Sequence, residues 1–340
     1  MSELVYINAA KSFRNPKTGV VEDVRAKEIA HLKALKEQGL TIIGLEMTEP
    51  SLAELCERNI DPQHTDKRSD QSCAKEIAEN APAQLGWFKS KDLDKVVFVT
   101  NRVDVDCVAA FVLADRYLKG EKISCNDSIE TINTHDTATR APWGGPKEKI
   151  EDAFNPDDKA KALAASIQVF RVTPKNIADV AKFIDTGMVE DDVMDSFRKS
   201  QQAIIAKVKS GEIKTEVVGG IAYVESTDRA ATDVGYSMAP VVVAVNPQMR
   251  APDGHTYRKV SICQHAEGGY ADLKAVAAEL ATREAGWGGS PTFIGSPQNQ
   301  DCETAMSDIK KLVFANLTPE YKAKVTSNAG KAKSGKGIGD

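Results

Sequence analysis

The residues with the most chemical promise follow the apolar run Val96-Val97-Phe98-Val99, which continues as Thr100-Asn101-Arg102-Val103-Asp104-Val105-Asp106 and passes into an apolar helix. The run reads as a strand, so Asp104 and Asp106 stand at its carboxyl end, the edge where open α/β sheets bind ligands. Two carboxylates crowded there repel each other unless a cation lies between them, and the occupant expected is a divalent metal. Two further polar clusters follow apolar runs: Asp61 with His64, in Ile60-Asp61-Pro62-Gln63-His64, and His135 with Asp136, in Thr134-His135-Asp136-Thr137. Carboxylates and imidazoles without thiolates suit manganese first and magnesium second, with zinc and iron as less favoured alternatives. Each cluster alone has a plainer reading: Asp-Pro forms turns, two Asp before a helix cap it, and a His-Asp pair in a loop is solvated. Their coincidence is what matters, because all the strand ends at one edge of a parallel sheet face the same crevice.

A second signal lies far downstream, Gly286-Trp287-Gly288-Gly289-Ser290-Pro291 followed by Gly295-Ser296-Pro297-Gln298. Glycines after a helix serve as its C-cap and a tight turn, which accounts for Gly286. The repeated pair Gly288 and Gly289, with Ser290, suggests in addition a backbone that approaches a phosphate and turns N–H groups toward it. No GxxxxGK[ST], no GxGxxG between strand and helix and no G-x-S-x-G is present, so kinase, dinucleotide-binding and acyl-transfer readings lose their usual support.

These residues need elements to position them. Residues 4–7 read as a strand, then a turn at 15–19, a helix with apolar Ile29, Leu32 and Leu35, a strand at 40–45, and a helix opened by Pro50. Strand 96–99 and the helix bearing Cys107, Val108, Ala110, Phe111 and Ala114 follow, then a short strand expected at 129–133, ahead of His135 and Asp136. The loop at 140–146 carries Trp143 and either closes over a site or packs on the surface. Residues 176–209 are mostly helical with a break near Gly187; strands at 221–224, 241–245 and 259–263 and an alanine-rich helix at 271–284 come next. Alternating strands and helices predict an α/β protein whose first domain is a parallel sheet covered on both faces. The divisions expected are a metal-binding domain at 1–186, a helical connector at 187–212, a smaller α/β substrate-binding domain at 213–317 with a cleft between the two, and a disordered tail at 322–340.

Size and charge are consistent with this. A length of 340 residues is comfortable for two cores. A net charge of -5 argues against a broad nucleic-acid surface, so any phosphorylated substrate is held locally and no long nucleic acid is expected. No apolar stretch approaches the ~18 residues that span a bilayer, and the N-terminus lacks a signal-peptide pattern, so a cytoplasmic protein with no membrane contact is expected. The six cysteines form no CxxC pair, which indicates neither a zinc ribbon nor a disulfide framework.

A strand, then N-x-x-D-x-D, then an Ala-rich helix resembles the first motif of the DHH phosphoesterase superfamily, usually H-x-x-x-D-x-D. The segment from Val260-Ser261 through the helix to Gly286-Trp287-Gly288-Gly289-Ser290-Pro291 resembles the DHHA1 domain that accompanies it. The resemblance implies a DHH-like domain with a two-metal centre and a DHHA1-like domain that binds the substrate's phosphate end. Asp104 and Asp106 match the family's carboxylates. Asn101 stands where a His ligand is expected, Thr134-His135-Asp136 takes the place of the Asp-His-His signature, and Ser290 replaces the histidine of the glycine loop. Asp61 and His64 lie upstream of the usual order and offer substitutes. The chain therefore looks like a divergent member with rearranged ligands, or one that has lost a metal.

The function expected is a metal-dependent phosphoesterase that hydrolyses a phosphodiester or phosphoanhydride of a small nucleotide, short oligonucleotide or polyphosphate. Asp104, Asp106 and His135 would be catalytic. Asp61, His64, Asp104, Asp106, His135 and Asp136 would bind metal and activate water for in-line attack. Asn101, His265, Arg283, Gly288, Gly289 and Ser290 would contact substrate, and a homodimer is a further expectation. The rivals are a catalytically degenerate nucleotide-binding or regulatory protein on the same scaffold, and a sugar-phosphate or nucleotide enzyme on an unrelated doubly wound fold.

Overall fold

In the computed structural model of the chain, residues 3–9, 13–14, 21–63, 71–90, 92–138, 141–167, 171–251 and 254–334 are described. His64 and the turn expected at 15–19 lie outside them. The chain divides into two compact units, Met1–Thr137 with Pro156–Arg198, and Ala138–Asn155 with Lys199–Asp340.

The first unit contains β1 (Glu3–Tyr6), the short pair β2 (Phe13–Arg14) and β3 (Val21–Glu22), α1 (Val24–Glu37), β4 (Thr41–Leu45), α2 (Pro50–Ala53), β5 (Arg58–Ile60), α3 (Cys73–Leu85), β6 (Val96–Thr100), α4 (Val105–Leu118), α5 (Asp127–Thr137), α6 (Lys159–Ser166) and α7 (Pro174–Thr186). Four strands form an all-parallel sheet in the order β1-β6-β4-β5. Continuous apolar strands need cover on both faces, and they have it. Ile42, Val97 and Val99 pack with Leu32 and Leu52 on one face, while Ile43, Leu45 and Phe98 pack with Ile77, Val108 and Phe111 on the other. Phe98 and Phe111 meet edge-on, their rings 5.4 Å apart. Burying one such ring is worth about 1.5–3 kcal/mol, so the helix behind β6 is held firmly over the sheet.

The segment at 129–133 is a helix, not the strand expected. Ile129 and Ile132, three apart, are both buried in the core shared with α3 and α4, and Asn126 starts the helix by accepting the Ile129 N–H through Oδ1 at 3.0 Å. The β-branched residues of the segment favour a strand, but the spacing of three puts Ile129 and Ile132 on one helix face, and packing decides for the helix. His135 and Asp136 therefore lie on the last turn of α5.

α8 (Asp191–Ser210) runs across the boundary between the two units. The second unit then contains β7 (Lys214–Val218), β8 (Ile221–Glu225), α9 (Ala231–Tyr236), β9 (Val241–Arg250), β10 (Thr256–Gln264), α10 (Leu273–Arg283), β11 (Gly288–Gly289), β12 (Phe293–Gly295), α11 (Met306–Ala315) and α12 (Pro319–Ser334). Its mixed sheet has the order β11-β12-β10-β9-β8-β7, with β8 and β9 parallel across α9 and the other neighbours antiparallel. One face packs Val276, Leu280, Ile309 and Val313; the other packs Ala231, Val234, Ile204 and Phe154. Trp143 packs on this unit: its indole N–H donates to the Tyr236 carbonyl at 2.7 Å and its backbone N–H to the Tyr270 hydroxyl at 3.1 Å.

The tail expected to be disordered from 322 is helical through Ser334. Its anchor is Tyr321, buried in the core, with its hydroxyl donating to the Gly220 carbonyl at 2.7 Å. Val325, one turn on, packs against the same cluster. Among the described residues no helix is long and apolar enough to cross a membrane.

Candidate metal centre

The first contribution to the site comes from Glu46, the residue directly after β4, which sequence reasoning passed over. Its backbone is left-handed, with φ at 51°, an uncommon conformation for a residue with a side chain. Flanking bonds impose it. The Glu46 N–H donates to the Ile60 carbonyl at 3.0 Å. Met47 is gripped through both backbone groups by Asn59, whose Oδ1 accepts at 3.2 Å and whose Nδ2 donates at 3.0 Å. Thr48 is gripped likewise by Asn101, which accepts its N–H at 3.0 Å and donates to its hydroxyl at 3.0 Å. Gly44 leaves the room Asn59 needs, since a Cβ there would stand 2.6 Å from Asn59 Oδ1. The Glu46 side chain is fully buried, and neither of its oxygens has a hydrogen-bond partner. Asn59→Ala is expected to leave both polar groups of the buried Met47 backbone unpaired, at about 1–3 kcal/mol for each group. Urea unfolding should show a loss of that size.

β6 supplies the second contribution. Asp104 caps α4, its Oδ1 accepting the Cys107 N–H at 2.9 Å. Asp106, also fully buried, receives the first amides of α3: Cys73 N–H at 2.7 Å and Ala74 N–H at 3.0 Å. The capping reading is thus correct for Asp104 alone: Asp106 lies within α4, serves the start of α3 instead, and also faces the cluster. Between β6 and Asp104 the loop is fixed by Thr100, whose hydroxyl donates to the Arg102 carbonyl at 2.7 Å and accepts the Arg102 N–H at 3.0 Å. The Arg102 guanidinium lies 3.5 Å from Asp104 Oδ2.

The third contribution is Asp136, from the last turn of α5, whose carboxylate accepts from Gln63 Nε2. One oxygen each of Glu46, Asp106 and Asp136 lies within 4.8 Å of the other two. The other expected ligands are less close. Asp104 and His135 bear electrostatically on this group but fall outside it; His135 is half-buried. Asp61 is buried on the turn after β5, where its charge acts on the Cys73 thiol. Asn101 serves as the clamp on Thr48.

Burial and mutual repulsion both work against ionisation here. Glu46 is pushed well above the usual carboxylate range by burial, then by Asp104 and Asp106, with Arg102 opposing. Asp106 is raised by burial, then by Asp136 and Asp104, although the Ser72 hydroxyl and the Ala74 amide pull the other way. Asp136 is raised by burial and by Asp104, and lowered by Arg102 and by the Gln63 hydrogen bond. Buried carboxylates without hydrogen bonds are costly unless paired or coordinated. An all-oxygen donor set of this kind fits a hard divalent cation such as manganese or magnesium. The buried thiols Cys73 and Cys107 are pushed up by burial and nearby carboxylates, and neither belongs to the close group of oxygens.

A second close group, Glu79, Cys125 and Glu130, lacks this character. Glu79 and Glu130 are exposed, and Lys75 already lies 2.7 Å from Glu130 and 3.9 Å from Glu79.

In the second unit the expected substrate contacts have these surroundings. His265 Nδ1 meets the Ala141 carbonyl at 3.3 Å and its ring packs edge-on against Tyr236. Arg283 is exposed and paired with Glu279 at 2.6 Å. Gly288 and Gly289 form edge strand β11, with open space above Gly288 and φ at 146° for Gly289. The Ser290 hydroxyl stabilises its own turn, accepting the Phe293 N–H at 3.1 Å.

Fold and cluster together define an α/β chain with a buried carboxylate group, suited to a cation, at the carboxyl edge of a parallel sheet. No protein-family model matches the chain, and no curated protein matches it. Among solved structures, PggH, a pGpG-specific phosphodiesterase from Vibrio cholrae, shares 11% sequence identity at a TM-score of 0.35, over 85% of this chain and 99% of that one. A likeness so loose leaves the chemistry to be read from the residues themselves.

Proposed function

We propose that the chain is a divalent-metal-dependent phosphoesterase that hydrolyses a phosphodiester or phosphoanhydride bond in a small nucleotide, short oligonucleotide or polyphosphate. One observation carries the reading: both oxygens of Glu46 are buried without a partner, beside Asp106 and Asp136. Glu46, Asp106 and Asp136 would hold the ion, manganese first and magnesium second, with Asp104 adding charge at the rim. Such an ion, when bound, polarises a phosphoryl oxygen and lowers the pKa of water. The chain's own residues fix the geometry: Asn59 and Asn101 hold Glu46 in place, the α3 amides orient Asp106, and Gln63 orients Asp136. Water adds across a P–O bond, leaving a phosphate on one fragment and a hydroxyl or second phosphate on the other. In this reading Gly288, Gly289 and Ser290 remain backbone contacts for a phosphate, supported by the open space above Gly288.

The test is a manganese-supplemented screen of linear and cyclic dinucleotides, polyphosphate and pyrophosphate, with chelated protein as control. Asp136→Asn is expected to lower turnover of the best substrate by on the order of 100-fold, since even groups that only orient metal ligands are worth 10- to 100-fold. Turnover that survives chelation, or is untouched in Asp136→Asn, would reject the proposal. Stoichiometric metal without turnover on any of these substrates would leave a binding or regulatory protein instead.

A further inference from the structure

Arg102 stands among the acidic residues of the centre, Glu46, Asp104, Asp136 and Asp106. It lies between strand and helix on a loop that cannot swing freely, because the Thr100 hydroxyl holds both its N–H and its carbonyl. Its side chain is 43% exposed, against 30% for Asp104, while Glu46 and Asp106 are fully buried. The contact to Asp104 is 3.5 Å, too long to use up the five donors of the fork. Burial works against its charge, but Glu46, Asp104, Asp136 and Asp106 outweigh that and hold it firmly cationic.

Beside it, the two residues that end the strand and follow it are already engaged elsewhere and are not free to hold a second ion. Four residues before Asp104 stands Thr100, whose hydroxyl is spent on the Arg102 backbone. Asn101, the next residue, has its amide spent on Thr48. Two-metal centres place their ions about 3.5–4 Å apart, and the second ion neutralises charge on the transferring group. A planar guanidinium can do the same and adds two parallel hydrogen bonds to phosphate oxygens.

We propose that Arg102 is the site's resident second cation: the centre takes one divalent ion, held by Glu46, Asp106 and Asp136, and Arg102 grips the substrate's phosphoryl group where a two-metal enzyme would use another ion. The inference rests on the phosphoesterase reading and sharpens it, replacing the two-metal expectation by one metal and one arginine.

The experiment counts Mn2+ bound to chelator-stripped full-length protein by equilibrium dialysis, then measures inorganic phosphate binding at saturating Mn2+. The wild-type chain is expected to hold one Mn2+. Arg102→Gln is expected to keep that ion while its phosphate affinity falls about 10- to 100-fold, the worth of a charge-assisted contact. Arg102→Lys, which keeps the charge and loses the fork, should hold one Mn2+ with an intermediate loss, and it decides the matter if Arg102→Gln does not fold. Two Mn2+ in the wild type, no phosphate binding by the Mn2+-loaded wild type, or undiminished phosphate affinity in the variants would overturn the role of Arg102 while leaving a metal phosphoesterase standing. A wild-type chain that binds no Mn2+ would overturn both.

Discussion

Glu46→Gln is expected to remove tight Mn2+ binding, with a loss on the order of 100-fold or more, and yet to make the metal-free protein more stable. Both effects come from the same geometry. The carboxylate has no hydrogen bond to lose, so the substitution strands no partner. What it removes in the presence of metal is an anionic ligand, and outer-shell groups alone are worth 10- to 100-fold in affinity. What it removes without metal is a buried group whose ionisation is opposed by burial and by Asp104 and Asp106. The pH dependence has a definite sign. A carboxyl raised above its ordinary value of 4.5 binds its proton more tightly in the folded than in the unfolded chain. Stability therefore falls as pH rises from that value through the raised folded one, where the folded state holds the extra proton. Metal-free wild type should lose urea resistance as pH climbs from mildly acidic toward neutral; Glu46→Gln should flatten that slope, and added Mn2+ should reverse it. Metal affinity unaltered in Glu46→Gln would remove Glu46 from the centre.

The parallel sheet was legible because its strands are unusual sequences. Runs such as Thr41-Ile42-Ile43-Gly44-Leu45 and Val96-Val97-Phe98-Val99 are apolar at successive positions, which a sheet covered on both faces requires. From that followed the strand's carboxyl end, with Asp104 and Asp106. Asp136 stands on a helix and not after the strand expected from Ile129 and Ile132, which look β-like in isolation. Glu46 was visible in principle, being the residue that follows the apolar run of β4 at the same edge. Its local signal is weak, because Glu46 stands alone between the apolar Leu45 and Met47, with no second polar residue beside it. Its unpartnered oxygens are a property of packing, which no local pattern records. The role of Asn101 was hidden for a similar reason: its partner Thr48 is 53 residues away. In the glycine loop the turn is present, with Ser290 accepting the Phe293 N–H; an anion contact would call for the same residues, so sequence alone could not separate the two.

Asp106 should respond in the opposite sense to Glu46, although the two carboxylates are neighbours. Asp106→Ala is expected to cost about 2–6 kcal/mol, because it strands two fully buried amides, those of Cys73 and Ala74, at about 1–3 kcal/mol each. These amides open α3, where a negative charge is also favoured by the helix dipole. Relief of repulsion from Asp136 and Asp104 works the other way. It does not offset the loss, since a carboxyl left without charge can shed that repulsion by taking a proton, whereas a buried amide has no substitute acceptor. Asp106→Asn keeps one acceptor oxygen and should fall between alanine and wild type. Urea unfolding of metal-free protein at neutral pH settles the matter: Glu46→Gln should unfold at higher denaturant than wild type, and Asp106→Ala at lower. If both shift the same way, the division of labour drawn here is wrong, with Asp106 holding the fold together and Glu46 kept at a cost to the fold for the sake of a cation.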